Sequence, residues 1–139
     1  MELIYPIFTL AIYTIAMVGV LGAVRFVAVQ RKQVHPGYFK TFDGKRPPEF
    51  VVGLGRNYSN LLEMPILFYL AGVLAIVLNI VHDDMVLCAW AYVISRFAHS
   101  VFHIFFNNPL HRLMVFSISV VFLVLMWVMI LQQALLMSH

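Results

Sequence analysis

Four long apolar stretches, separated by polar segments, dominate the pattern of the chain. They cover residues 3–24, 61–81, 85–106 and 113–131, and the first and last contain no charged residue. Each is close to the roughly 20 residues that a helix needs to cross a bilayer. Backbone polar groups must be satisfied internally in lipid, so helices are expected rather than open strands. The pattern predicts an all-α membrane bundle in a single domain, 1–139, with helices at about 3–30, 48–81, 85–107 and 112–135.

Composition supports an integral, multi-pass membrane protein. Hydrophobic residues make up 63% of the chain and charged residues only 11%, whereas a soluble domain usually has about 25% charged residues. This excludes an ordinary soluble globule and argues against a nucleic-acid partner. Cys88 is the single cysteine, so an intrachain disulfide or a CxxC site is excluded. The first stretch lacks a preceding basic region and exceeds the roughly 7–15 apolar residues of a signal peptide, so a permanent helix is expected.

Basic residues lie on one side of the predicted bundle. The first connection, at about 25–55, contains Arg25, Arg31, Lys32, Lys40, Lys45 and Arg46. Arg112 borders the third connection, and the opposite side carries no lysine or arginine. Because basic loops stay in the cytoplasm, the first and third connections are expected there and both termini outside it. These cations can also simply set the topology and contact anionic lipid headgroups.

Ionisable residues within the second and third stretches form two stripes. The second helix carries Arg56, Asn60 and Glu63, and the third carries Arg96, His99 and His103. Spacings of three and four place each set on one helix face. Charges in a membrane are costly and usually face a partner or a polar cavity. Because Arg112 lies at the start of the fourth helix, the stripes predict a basic chamber near the cytoplasmic side. Pro65 is expected to kink the second helix just beyond Glu63.

Such a chamber suits a small ligand with several negative charges. Arginine recognises carboxylates through paired hydrogen bonds, and a neighbouring cation favours the reactive thiolate form of a thiol. Two simpler interpretations remain open. Glu63 can form a purely structural ion pair with Arg56 or Arg96. His99 and His103 have metal-ligand spacing but lack nearby glutamate or cysteine companions, so hydrogen-bonded packing is favoured and no metal site is predicted.

Three segments together resemble one membrane-protein family. Residues 47–50 (PPEF), 56–65 (RNYSNLLEMP) and 96–103 (RFAHSVFH) resemble the MAPEG family, the membrane-associated proteins of eicosanoid and glutathione metabolism. The amino-acid sequence of residues 60–69 is most similar to that of bacterial members of the family. This similarity implies that the protein lies in a bacterial inner membrane. The resemblance also implies a homotrimer of four-helix bundles. Glutathione would lie in a cleft between subunits, and a hydrophobic small-molecule substrate would arrive from the bilayer.

The resemblance assigns roles to particular residues. It implies that Arg112 activates the glutathione thiol. It implies a glutathione site formed by Arg25, Arg31, Arg56, Asn60, Glu63, Arg96, His99 and His103, with Arg25 preferred over Arg31 as the first-helix arginine. Three positions depart from the prostaglandin branch or the wider family: His103 and Phe116 replace tyrosines, and Leu113 replaces a serine. Specific prostaglandin or leukotriene chemistry is therefore not expected.

Four functional hypotheses follow. The leading one is a glutathione-dependent transferase or peroxidase that acts on hydrophobic electrophiles or lipid hydroperoxides. The alternative is a non-catalytic, lipid-binding member that presents a hydrophobic ligand to a partner. A small exporter of cationic drugs is disfavoured, because the arginines would repel its cargo. The last possibility is purely structural, with ion pairs that specify trimer assembly.

Overall fold

The computed structural model describes residues 2–105 and 109–137, without the side chains of His103, Phe105 and Pro109. Within these residues six helices follow one another: α1 (Ile4–Gln30), α2 (Tyr38–Thr41), α3 (Glu49–Glu63), α4 (Pro65–Val77), α5 (Asp83–Phe105) and α6 (Pro109–Met137). The described part of the chain contains no strand. The all-α prediction is therefore confirmed.

In the described part of the chain, four segments are long and apolar enough to cross a membrane. They are Ile4–Gln30, Glu49–Val77, Asp83–Phe102 and Leu110–Met137, the second of which combines α3 and α4. Only 17% to 44% of the residues in the apolar window of each segment are buried inside the chain. Most of their apolar surface thus faces outward. Exposure of so large an apolar area to water would be unfavourable. The chain is an integral, multi-pass membrane protein.

The second membrane segment is interrupted at Met64. Helix α3 ends at Glu63, and α4 begins with Pro65 at its first position. Proline has no backbone N–H and its ring crowds the preceding turn, but it is well tolerated where a helix starts. The break therefore lies where Pro65 predicts it, and it leaves the end of α3 beside the other helices.

Helices α1 and α4 both end in left-handed turns. Asn79, with φ of 56°, follows α4, and Ile80 N–H donates to Ala75 O at 3.0 Å. Lys32, with φ of 54°, follows α1, and Gln33 N–H donates to Ala28 O. These bonds satisfy carbonyls that a helix end leaves without partners. The turn after α4 also explains why that helix stops at Val77 rather than continuing to residue 81.

The core lies where all four membrane segments meet. Leu10, Phe68, Tyr92 and Met126 come from α1, α4, α5 and α6, and each is fully buried. The rings of Phe68 and Tyr92 stack with their centroids 4.5 Å apart. These contacts hold α5 in the middle of the bundle, packed against α1, α3 and α6. Arg96, His99 and Ser100 of α5 are consequently buried against other helices.

The first connection folds back onto the bundle. A second, smaller cluster joins Ala28 at the end of α1, Val34 in the connection and Val51 at the start of α3. Tyr38 and Phe39 of the short helix α2 pack against this cluster. Burial of these side chains keeps the connection close to the ends of α1 and α3. The basic residues of the connection are thereby held near the membrane segments.

Candidate functional site

Arg96 on α5 is a cation buried in the centre of the bundle. Its side chain is fully buried, and its guanidinium carbon lies 5.9 Å from the centre of the Phe116 ring. Nη2 donates a hydrogen bond to the backbone carbonyl of Asn60 at 2.6 Å. Within residues 2–105 and 109–137, Nε and Nη1 have no hydrogen-bond partner. Because a buried charge without hydrogen bonds is costly, these donors favour an anionic acceptor beside them.

The break in the second membrane segment explains the bond between Arg96 and Asn60. Asn60 lies in the last turn of α3, a few residues before Pro65. The carbonyls in the last turn of a helix carry partial negative charge and are incompletely satisfied within the helix. A guanidinium is therefore stabilised at this position. The proline that interrupts the helix thus helps to position the cation on α5.

His99 connects α5 to the start of α6. Its Nδ1 lies 3.2 Å from the backbone carbonyl of Arg112, so the tautomer with a proton on Nδ1 can donate this bond. The ring is almost fully buried, and its centroid lies 5.8 Å from that of Phe116. Arg112 is half-buried, and its Nε is enclosed with no hydrogen-bond partner among the described residues. The structure therefore brings together the side chains of Arg96, His99 and Phe116 and the backbone carbonyls of Asn60 and Arg112; we refer to these five residues as the central polar cluster.

A buried hydrogen bond that sequence reasoning missed lies beside this cluster. Ser100 Oγ donates to Asn57 Oδ1 at 2.9 Å, and both side chains are almost completely inaccessible. Asn57 lies one turn before Asn60, and Ser100 lies one turn after Arg96. Helices α3 and α5 are thus joined at two successive turns. The spacing of three and four residues was the signal that could have identified this pair.

Arg56 and Glu63 lie outside the central polar cluster. Both side chains are exposed, although they share a helix with Asn60. Among the residues that the structure covers, neither forms an ion pair. The structural pairing of Glu63 with Arg56 or Arg96, which the sequence left open, is thus not formed within this part of a single chain.

Arg25 and Arg56 line a separate hollow of about 230 Å³ under the first connection. The Arg25 guanidinium carbon lies 5.0 Å from the centre of the Phe39 ring. Arg31 is exposed at the end of α1 and is absent from this lining. The structure thus separates the two candidates for the first-helix arginine. The side chain of His103 lies outside the described residues.

The central polar cluster is suited to binding an anion. No group of three or more histidine, cysteine, aspartate or glutamate residues able to hold a metal ion occurs in the described ranges. Guanidinium groups offer several N–H donors that match carboxylates, and they stay charged at any ordinary pH. A buried cation also favours a thiolate over a thiol beside it. The cluster can therefore bind a carboxylate or stabilise a sulfur anion.

Comparison with known proteins adds one finding. No curated protein and no solved structure gives a significant match to the chain. The family model described as "MAPEG family" matches residues 3–132, a range that includes the first three membrane segments, most of the fourth and the central polar cluster. Because this match covers nearly the whole chain, the protein belongs to the MAPEG family.

Proposed function

We propose that this protein is a membrane-embedded, glutathione-dependent transferase or peroxidase that acts on hydrophobic electrophiles. The observation that carries the proposal is the burial of Arg96, whose Nε and Nη1 have no partner among the described residues. A permanent cation in an apolar bundle is costly unless it pairs with an anion or faces a polar cavity. Arg96 is therefore expected to belong to a binding site. Membership of a family that commonly uses glutathione supports this tripeptide as the anion.

The residues of the central polar cluster would have separate roles in binding glutathione and in stabilising its thiolate. Arg96 is proposed to donate hydrogen bonds from Nε and Nη1 to a carboxylate of glutathione. His99, oriented by its bond to the Arg112 carbonyl, would line the same site. The Arg112 guanidinium is proposed to stabilise the glutathione thiolate, since a nearby positive charge lowers the pKa of a thiol. His103 is proposed as a further glutathione-binding residue on the basis of the family resemblance alone.

The reaction itself would be a nucleophilic substitution. The thiol proton leaves to solvent, and the thiolate attacks the electrophilic carbon of the hydrophobic substrate. A carbon–sulfur bond forms, and the bond to the leaving group breaks with its electron pair. The bilayer would concentrate the substrate next to the outward-facing apolar residues of the helices. Phe116 cannot donate a hydrogen bond to the thiolate. Arginine alone would therefore stabilise the negative charge on the sulfur.

Assembly would complete the glutathione site. Glu63 and Arg31 are exposed, and Arg25 and Arg56 line the separate hollow. A role for these four residues in glutathione binding requires a neighbouring subunit, so we propose a homotrimer with glutathione at the subunit boundary. The basic first connection would face the cytoplasm, and the membrane would be a bacterial inner membrane.

The direct test compares conjugation of glutathione to 1-chloro-2,4-dinitrobenzene by the wild type and by Arg112→Ala. We expect turnover to fall by about 100-fold or more, the scale at which loss of one electrostatic stabiliser acts. Lys45→Ala, at an exposed position in the first connection, is the matched control and should retain wild-type turnover. Equal rates in wild type and Arg112→Ala would remove Arg112 from the mechanism.

Calorimetry separates this proposal from the non-catalytic alternative. A transferase should bind glutathione at millimolar or lower concentration, with the heat of binding reduced in Arg96→Gln. A protein that only presents a lipid to a partner should give no heat of glutathione binding under the same conditions. That second result would favour the lipid-binding alternative over the enzyme.

A further inference from the structure

The contact between α3 and α5 contains more hydrogen-bond donors than acceptors. Arg96 uses Nη2 for the Asn60 carbonyl, and its Nε and Nη1 have no partner among the described residues. Asn57 accepts a bond from Ser100 at Oδ1, and its Nδ2 likewise has no partner within this part of the chain. Asn57 and Arg96 are both fully buried, so bulk water does not reach these groups. The contact therefore lacks a hydrogen-bond acceptor at two successive turns.

The bond from Ser100 fixes which end of the Asn57 amide is free. Ser100 Oγ donates to Oδ1 at 2.9 Å, and a side-chain amide carries its N–H donors on the other atom, Nδ2. Buried donors without an acceptor are destabilising, whereas two apolar side chains at the same positions would pack without that cost. A purely structural role thus explains the bond to Ser100 but not the free Nδ2 of Asn57.

Asn57 lies one helical turn from Asn60, whose carbonyl holds Arg96. On α3 it precedes Asn60 by three residues, and on α5 its partner Ser100 follows Arg96 by four. One helical turn rises about 5.4 Å, whereas an extended tripeptide covers roughly 10 Å. A glutathione molecule with a carboxylate at Arg96 is therefore long enough to reach Asn57. The pair of Asn57 and Ser100 also lies on the side of Arg96 that is expected to face the cytoplasm, from which glutathione would enter.

We propose that Asn57 is a further glutathione-binding residue, which donates a hydrogen bond from Nδ2 to an oxygen of the tripeptide. Ser100 would be a positioning residue, because its bond to Oδ1 holds the amide with Nδ2 free. Glutathione carries carboxylates at both ends and peptide carbonyls between them, so it offers acceptors to Arg96 and to a neutral amide together. The inference rests on the proposed glutathione-dependent function, and it leaves the roles proposed for the arginines unchanged.

Calorimetry with glutathione tests the inference on a double variant, Asn57→Leu with Ser100→Ala. This variant removes the amide and the hydroxyl together, so neither leaves a buried partner unsatisfied and the protein should fold. We expect about tenfold weaker glutathione binding than in the wild type, which corresponds to about 1.4 kcal/mol, with unchanged helical content by circular dichroism. Ser95→Ala is the matched control and should bind like the wild type, because Ser95 is a buried serine of α5 that donates to the Ala91 carbonyl of its own helix.

An Arg96→Gln background separates direct contact with glutathione from an effect through Arg96. The readout there is kcat/KM for glutathione in conjugation of 1-chloro-2,4-dinitrobenzene, which is measurable below saturation. If Nδ2 of Asn57 contacts glutathione, the double replacement should lower kcat/KM by about tenfold in this background as well.

The possible failures of this inference and of the proposed function are distinguishable. Loss of the effect in the Arg96→Gln background would show that Asn57 acts only by positioning Arg96. Wild-type affinity in the double variant would assign Nδ2 to an ordered water molecule. Either result would overturn the inference and leave the proposed function standing. Absence of glutathione binding to the wild type would refute the proposed function, and the inference with it.

Discussion

Arg96 is a permanent charge in the least accessible part of the bundle. Its bond to the Asn60 carbonyl and its approach to Phe116 fix the guanidinium, yet Nε and Nη1 have no partner among the described residues. Replacing such a group by an apolar one of similar size often leaves a protein equally stable or more stable. A buried arginine of this kind is therefore better explained by binding than by folding.

At residue scale, Arg96→Gln should weaken glutathione binding by about tenfold or more, because hydrogen bonds to a charged group contribute about 1.5–3 kcal/mol. Thermal unfolding in detergent should change little, or the midpoint should rise, since desolvation of the charge is relieved. Isothermal titration calorimetry with glutathione measures the affinity. Arg46→Gln, exposed before α3, is the matched control. Unchanged affinity in Arg96→Gln would contradict the proposed role of this residue.

The pair formed by Asn57 and Ser100 gives a second prediction at residue scale. Ser100→Ala leaves the buried Asn57 side chain without the bond seen at 2.9 Å, which should destabilise the protein by about 1–3 kcal/mol. Asn57→Leu should cost a similar amount. The double variant should cost less than the sum of the two, because neither unsatisfied partner remains. Denaturant titration followed by circular dichroism measures the four free energies of unfolding, and strict additivity would show that the two side chains do not interact.

At the scale of elements, the interrupted second membrane segment connects fold and site. Pro65 divides α3 from α4, and the end of α3 presents the Asn60 carbonyl to Arg96 on the neighbouring helix. Helix α5 contributes two successive turns to this contact, one with Arg96 and one with Ser100. These two bonds join α3 to α5, and the bond between His99 and the Arg112 carbonyl links the start of α6 to α5.

Pro65→Ala tests this role of the helix break. Alanine supplies the missing N–H and removes the ring, so α3 and α4 should join into one regular helix. In that regular helix the new N–H would pair with the Leu61 carbonyl, and Met64 N–H would donate to the Asn60 carbonyl and compete with Arg96 for it. Glutathione affinity measured by calorimetry should then fall although helical content does not. Pro48→Ala, at the N-cap of α3, is the control and should bind glutathione normally. If Pro65→Ala binds glutathione as well as the wild type, the break does not position Arg96.

At the scale of the whole molecule, two features determine how the protein is placed in the membrane. They are the apolar exterior and the one-sided distribution of basic residues. The exposed apolar residues of all four membrane segments require lipid or another subunit around them. The basic first connection is packed against the ends of α1 and α3 by Tyr38 and Phe39. Its charges are thereby kept close to one surface of the membrane, where they can determine orientation.

Orientation can be tested by labelling single cysteines in intact cells. In a Cys88→Ala background, Glu2→Cys should react with a membrane-impermeant maleimide, because the N-terminus is predicted to lie outside the cytoplasm. Lys45→Cys, in the first connection, should react only after the membrane is permeabilised. Mass shift on a gel measures the labelling, with the Cys88→Ala protein itself as the unlabelled control. The reverse pattern of labelling would show that the predicted orientation is wrong.

Much of the fold could be predicted from the local sequence, whereas the candidate site could be predicted only in part. The two polar stripes included Asn60, Arg96 and His99, which the structure brings together in the central polar cluster, since spacing of three and four defines a helix face. The same reasoning placed Arg56 and Glu63 in one chamber with them, but within the chain both side chains are exposed. Asn57 and Ser100 were overlooked, because a neutral polar residue is costly in a membrane only when its partner is missing, and the partner is on another helix.

The amino-acid sequence by itself determined the four membrane helices and the break at Pro65. Hydropathy depends on local composition, and the missing N–H of proline is a covalent property, so neither requires knowledge of distant contacts. Only the tertiary structure decided that Arg96 reaches the Asn60 carbonyl while Arg25 and Arg56 line a hollow elsewhere. Those contacts depend on how each helix is rotated and how closely it approaches its neighbours, which the packing of core side chains such as Phe68 and Tyr92 sets.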